Sequence, residues 1–247
     1  MTISPPYLKD KDNNTLSFPP KFYVRSESIS RRSSLVQLPF SNLSKETSDC
    51  CFNPRRVDVT GILYAADETE AQTLLDAIHA FSNKRGLELW YKGRRIKIDK
   101  LLESSLQDTG KKGFLYNISI SYQAGDPFWY GEEKEENFNL GGIYGYEHSI
   151  VVGGTADTFP VITLTMADSG GPVSLDINGL GCELARLLVA EDIIEIDSYN
   201  GTVKVNGENA IGYFSGAFPR LLGGQNNSIQ YSGPACLASI KYSEAYI

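Results

Sequence analysis

The stretch with the most chemistry in it is GDPFWYGEEKEE, residues 125–136, where Phe128, Trp129 and Tyr130 stand beside Glu132, Glu133, Lys134, Glu135 and Glu136. Aromatic faces next to paired carboxylates suit a sugar cleft, with one carboxyl group as general acid, a second as base or nucleophile, and a ring to stack on the sugar. That chemistry needs a carboxyl group buried deeply enough to keep its proton near neutrality. This cluster lies in a run of low hydrophobicity that offers no such burial. GEEKEENFN therefore reads as a solvated connector. Asp126-Pro127 ends the strand before it, because Pro has no N–H to give to a ladder. Phe128, Trp129 and Tyr130 are then expected to pack at a domain edge or a subunit contact.

Other reactive groupings are scarce. His79 and His148 are the two histidines, and neither lies in a nucleophile or metal pattern. HExxH and GxSxG are absent, and GGIYGYEH (141–148) lacks the GxGxxG spacing of a dinucleotide loop. Cysteines at 50, 51, 182 and 236 form no CxxC pair, which favours buried reduced thiols over zinc or a disulfide framework. The expectation is a protein with no catalytic residue, no cofactor and no metal. Residues 84–100 carry Lys84, Arg85, Lys92, Arg94, Arg95, Lys97 and Lys100 against Glu88 and Asp99. Contact with an acidic partner or with passing DNA is one use for them; the wet face of a strand pair is the simpler one.

The elements that must carry these groups are mostly strands. RRVDVTGILYA (55–65) alternates Val57 and Val59 with polar residues, as a strand with one wet face should. FYVRS and SLVQLPF read as short strands, and LELWYKGRRIKIDK as a hairpin turning at Lys92-Gly93 with Ile96 and Ile98 inward. In GFLYNISISYQA, Phe114, Tyr116, Ile118, Ile120 and Tyr122 alternate with Leu115, Asn117, Ser119 and Ser121, which predicts a long amphipathic strand. One helix is predicted, within 67–86. Asp67 is its N-cap and Glu70 its capping-box partner; Ala71, Leu74, Leu75, Ile78 and Phe81 form its apolar stripe, Lys84 and Arg85 suit its C-terminal end, and Gly86 is the left-handed stop. After residue 140 the texture is all β, with turn signals at Asn178-Gly179, Asn200-Gly201 and Asn206-Gly207; Asn200-Gly201 in particular predicts a two-residue hairpin. LGCELARLLVA (180–190) has some helical character that the sheet is expected to override.

Composition sets the outer limits. With 247 residues, 41% hydrophobic and 21% charged, the chain reads as soluble and globular, one large domain or two ordinary ones. No apolar run approaches the roughly 18 residues of a membrane span, and MTISPPYLKDKDNN has no apolar core for a secretory signal. The formal net charge of −7 is uneven: residues 1–140 hold 19 Lys/Arg and 19 Asp/Glu, residues 141–247 hold 4 and 11. The second half is thus a poor candidate for gripping phosphates. Its change of character suggests an irregular arm at 1–21, a first domain at 22–137 and a second at 138–247.

Taken in order, these stretches resemble the distal tail protein family of long-tailed, siphovirus-type bacteriophages. The likeness is carried by RRVDVTGILYA leading into DETEAQTLLDAIHAF, by the long strand ending in DPFWY, by FPVITLTM (159–166) and IEIDSYNGTVKVNGEN, and by GAFPRLLGGQNNSIQYSG (216–233). The resemblance implies a mainly β fold: an α+β N-terminal domain with a β-sandwich or split barrel and one helix, then a C-terminal galectin-like all-β sandwich. It implies a virion structural protein at the distal end of the tail, a homohexameric ring joining the tail tube protein to the tail-associated hub protein. In that family the C-terminal domains often hold receptor-binding proteins or side fibres. DNA would pass through the ring without sequence-specific binding, and no membrane insertion would be involved. The alternative left open by the residues is a carbohydrate-binding β-sandwich, an adhesin or accessory module. Against it, both Trp residues, Trp90 and Trp129, precede the second domain, and the His, Asn, Arg and Trp set of a galectin site is missing.

Overall fold

The computed structural model describes residues 4–27, 31–37, 44–109, 115–141 and 146–247. Phe114 and the glycine-rich 142–145 lie outside the described residues, as do the side chains of Cys50 and Cys51. The chain forms two compact units, 1–129 with Ile247, and 130–246.

The first unit contains β1 (Tyr7–Lys9), β2 (Thr15–Ser17), β3 (Phe22–Ser26), β4 (Arg31–Gln37), β5 (Ser44–Phe52), β6 (Arg55–Tyr64), the helix α1 (Glu68–Ser82), β7 (Leu87–Tyr91), β8 (Arg94–Ile98), β9 (Lys100–Asp108) and β10 (Leu115–Ala124). Strands β3, β6, β10 and β9 make one antiparallel sheet in that order; β8, β7, β1 and β2 run side by side in another, and β4 pairs with β5. The period-two pattern decides which face is dry. Val57, Val59 and Leu63 of β6 and Tyr116, Ile118, Ile120 and Tyr122 of β10 are buried, and they share one apolar cluster with Leu89, Ile96 and Ile98 and with Ala71, Leu75 and Ile78 of α1. Each fully buried aliphatic side chain of this kind contributes roughly 1.5–3 kcal/mol.

The helix starts as its capping residues dictate. Asp67 accepts from the Glu70 N–H at 2.8 Å, and Glu70 reaches back to the N–H of Ala66 at 2.5 Å, one residue earlier than the standard box. It stops at Ser82, capped by Asn83, three residues short of Arg85. Leu74, expected on the apolar stripe, is 38% exposed, because Ala71, Leu75 and Ile78 fill the dry face without it. Lys84 does not serve the helix end. It forms an ion pair with Asp10 at 2.7 Å.

That pair explains the N-terminal segment, which is not an irregular arm. Asp10 accepts from the N–H groups of Asp12 and Asn14 and from the Asn14 side chain, closing the β1–β2 turn, and Leu8 and Phe18 on either side are buried. β1 then adds to β7 through Tyr7↔Trp90, Leu8↔Leu89 and Lys9↔Glu88. Polar composition hid a hairpin whose register rests on two buried apolar side chains, Leu8 and Phe18, and one carboxylate.

The second unit contains β11 (Trp129–Leu140), β12 (Tyr146–Val152), β13 (Val161–Met166), β14 (Val173–Ile177), β15 (Leu180–Leu184), β16 (Ile193–Asp197), β17 (Thr202–Val205), β18 (Glu208–Asn209), a short 3-10 turn at Ile211–Tyr213, β19 (Phe214–Gly216), β20 (Gln225–Ser232) and β21 (Cys236–Tyr246). One layer runs β18-β17-β16-β13-β21-β11 and the other β12-β20-β14-β15-β19. Inward residues of both, among them Ile162, Leu164, Leu175, Ile177, Ile194, Ile196, Ile229 and Ile240, form a single core. This is the expected sandwich. Asn178-Gly179 and Asn206-Gly207 make tight two-residue turns with both residues at positive φ. Asn200-Gly201 does not: Asp197 pairs with Thr202, leaving a four-residue loop in which the Asp197 carboxylate accepts from the N–H and side chain of Asn200.

A polar pin closes one end of this sandwich. Asn227 is fully buried; its Oδ1 accepts from the Leu222 N–H and from Asn178 Nδ2, both at 2.7 Å, and its Nδ2 donates to the carbonyls of Leu222 and Gln225 at 3.2 Å. Replacing Asn227 with Leu leaves those groups dry and unpaired, and is expected to cost about 2–4 kcal/mol in urea unfolding, with early loss of exchange protection in β20. A second prediction concerns acid. The Asp10 carboxyl is held well below the usual carboxylate range, first by Lys84 and then by Asn14. Its stabilisation is therefore complete above the unfolded-state pKa of about 3.9 and drains away as pH falls below that toward the folded value. Lys84→Met should weaken this acid dependence, read as exchange protection of residues 7–17 across an acid titration.

Candidate functional site

The structure separates the opening stretch into an aromatic part and a charged part. β10 ends at Ala124, where Asp99 folds back: its N–H donates to the Gln123 carbonyl at 2.9 Å and its carboxylate accepts from the Gly125 N–H at 2.5 Å. A Cβ on Gly125 would displace that carboxylate from its bond to the Gly125 N–H. Asp126 accepts from the Phe128 N–H at 3.4 Å, turning the chain around the buried Pro127. Phe128 meets Phe52 edge-on, with ring centres 5.1 Å apart and planes at 82°. Trp129 packs against the core of the first unit and, with Val24, Ser26, Tyr91, Lys92 and Arg94, walls a cavity of about 470 Å³. Tyr130, half-buried, opens the second unit.

The carboxylates are not on a connector. They lie along β11, a twelve-residue strand next to β21, so GEEKEENFN is sheet. Charge and ladder bonding hold its exposed middle, while Phe138 and Leu140 anchor its end in the core of the second unit. Glu135 accepts from Ser239 Oγ at 2.7 Å and lies 3.6 Å from Lys241; Lys134 bonds Glu244 at 2.5 Å, and Glu244 also takes the Gly153 N–H and the Tyr246 hydroxyl. Glu135 is held below the usual carboxylate range by Ser239 and then Lys241, and Glu244 by Lys134 and then Tyr246. A general acid needs the opposite displacement. These groups are cross-strand fasteners.

Two other surfaces bear on function. The outer face of β19-β15-β14-β20 holds an open groove of about 440 Å³ lined by Ser174, Asp176, Glu183, Ser215, Gln230 and Ser232. Its aromatic residue, Tyr231, is 1% exposed with its hydroxyl on the Pro234 carbonyl, so the groove presents no ring for a sugar to stack on. On the basic hairpin, Arg95 pairs with Glu88 at 3.0 Å and lies over Trp90, Lys92 lies over Tyr91, and Lys84 is bound to Asp10. Those three cations serve the unit's own surface.

The remaining candidates have structural partners. His79 bonds Ser104 at 2.5 Å and His148 stacks on Phe138 with ring centres 4.0 Å apart. Cys182 and Cys236 are buried free thiols, and burial pushes Cys182 up to about 11. Among the described residues no cluster of His, Cys, Asp and Glu could hold a metal ion, and no helix is long and apolar enough to cross a membrane.

Comparison with known proteins gives the arrangement a context. Residues 153–246 match the family model of the siphovirus-type tail component, C-terminal domain. The solved structure of the Dit (gp 19.1) protein of phage SPP1, described as a paradigm of the hub adsorption apparatus in phages infecting Gram-positive hosts, superposes with a TM-score of 0.74 at 13% identity, over 98% of this chain and 99% of that one. This chain has the distal tail protein fold. Chains from the phage P2 baseplate in its activated conformation, with Ca and with Sr, give TM-scores of 0.43 and 0.40 at 10% and 11% identity, over 97% and 96% of this chain and 98% and 97% of theirs. No curated protein sequence matches. The likeness to the SPP1 protein at this identity is one of fold, and the distal tail fold accounts for the α+β first unit and the all-β second one.

The Trp129 environment yields a test. Trp129→Ala removes a half-buried ring from the edge of the first unit's core and should cost about 2–3 kcal/mol in urea unfolding, somewhat below the value for a fully buried Trp. A loss under about 0.5 kcal/mol would mean that the ring does not pack there.

Proposed function

We propose that this chain is a structural protein of a phage virion at the distal end of the tail. Six copies form a ring that joins the tail tube protein to the tail-associated hub protein, and the second unit anchors receptor-binding proteins or side fibres. The observation that carries this reading is the end-to-end fold likeness to the SPP1 distal tail protein, covering both units, together with the family-model match inside the second. Charge supports the orientation. Residues 141–247 carry 11 Asp/Glu against 4 Lys/Arg, whereas residues 1–140 are balanced. A channel that passes DNA is better lined by the balanced part, since a surplus of carboxylates repels phosphates. The first unit then forms the ring and the acidic second unit faces outward to its docking partners.

In this reading Phe128 and Trp129 at the edge of the first unit, and Tyr130 at the start of the second, lie where a neighbouring subunit approaches. No catalysis is called for, and DNA passes without being read. Light scattering on the purified protein across a concentration series tests the stoichiometry: a species of six times the protomer mass is expected. A strict monomer that binds glycans on an array would overturn the proposal.

A further inference from the structure

Two successive arginines at the start of β6 are treated oppositely. Arg56 points to the wet face and is saturated: its Nε bonds Asp58 at 3.0 Å, and its Nη2 reaches Glu103 and, at 2.7 Å, Ser121 Oγ. Arg55 points to the dry face, paired through its backbone with Ala124, and is only 5% exposed. Its Nε and Nη1 are sealed from solvent and meet no hydrogen-bond partner among the described residues. Burial depresses its pKa. A guanidinium with two of its three nitrogens dry and without an acceptor is costly to hold, and a well-packed apolar side chain in its place is ordinarily more stable. The same strand shows that carboxylates can be supplied where a cation needs them. Arg55 is therefore a half-made contact.

Its setting indicates what completes it. The β6–β10 ladder ends at Arg55↔Ala124, and just beyond that end the chain places the half-buried Phe52 and Phe128 in edge-on contact. An arginine beside partly covered aromatics is the composition of a protein–protein hot spot. We propose that Arg55 receives a carboxylate from a neighbouring copy of this chain when the copies assemble. This rests on the ring reading above. In a closed ring each protomer offers the same donor on one side and the same acceptor on the other, so one such contact recurs at every junction. With Nε and Nη1 sealed, Nη2 is the nitrogen through which the acceptor engages. A chain of net charge −7 has carboxylates to spare for it.

The test compares wild type with Arg55→Met and Arg55→Lys. Below the assembly concentration, Arg55→Met should raise the protomer's melting temperature by about 2–8 °C, because an unpaired buried charge has gone. The concentration at which the same variant assembles, read by light scattering, should rise at least about tenfold. Arg55→Lys keeps the charge but loses the planar fork, and should assemble more weakly than wild type without the gain in melting temperature. A Met variant that melts lower than wild type, or that does not fold, shows that Arg55 is satisfied within the protomer and overturns the inference. Rings that form equally well with Arg55→Met overturn it while leaving the ring reading intact. If wild type forms no ring at any concentration, the ring reading itself fails and takes this inference with it.

Discussion

Ten consecutive antiparallel rungs between β6 and β10, from Leu115↔Tyr64 to Ala124↔Arg55, set the geometry of the first unit. A strand pair that long has one acceptable register. A slip of one residue would turn Arg56, Asp58, Asn117 and Ser119 into the core and Val57, Val59, Ile118 and Ile120 into water. The wet face adds its own lock, since Ser121, 1% exposed, donates to Asp58 and accepts from Arg56 across the two strands. Neighbouring strands inherit this register: β3 through Phe22↔Gly61 and Val24↔Val59, and β9 through a ladder that shifts at Ser121/Tyr122. Where the ladder stops, Phe52 meets Phe128 and Arg55 is buried.

The second unit solves a different problem with the same pattern. Both of its layers bury alternate residues into one core, and its few cations are concentrated on one layer. Lys134, Lys204 and Lys241 stand on β11, β17 and β21, facing Glu244, Glu195 and Glu135. The other layer has Asp176 and Glu183 on its outer groove and no cation lining it. A surface of that kind offers polar and charged complementarity more than apolar area.

Most of the architecture was legible because alternation and turn chemistry act locally. The helix was written in Asp67 and Glu70, and the β7–β8 hairpin in Lys92-Gly93, both at positive φ. The long strand was written in the alternation of Tyr116, Ile118, Ile120 and Tyr122. The errors share one cause. GEEKEENFN and the first twenty residues look solvated, and strands secured by partners distant in sequence leave little local trace: Glu135 depends on Ser239 and Lys241, and Asp10 on Lys84. Asn200-Gly201 was misleading because Asp197 offered the loop a better acceptor than a tight turn would have. For the same reason the aromatic and acidic parts of GDPFWYGEEKEE could be told apart by sequence, while the partners of each could not. Arg55 was invisible as a site, since nothing about an arginine at a strand start announces that its guanidinium will be buried.

Image reconstruction of the assembled protein by electron cryomicroscopy tests the central claim most directly. The account predicts a six-fold ring whose channel is lined by residues of 1–129, with 130–246 at the periphery. A ring whose channel is lined by 130–246, or particles that remain single protomers under every assembly condition, would contradict it.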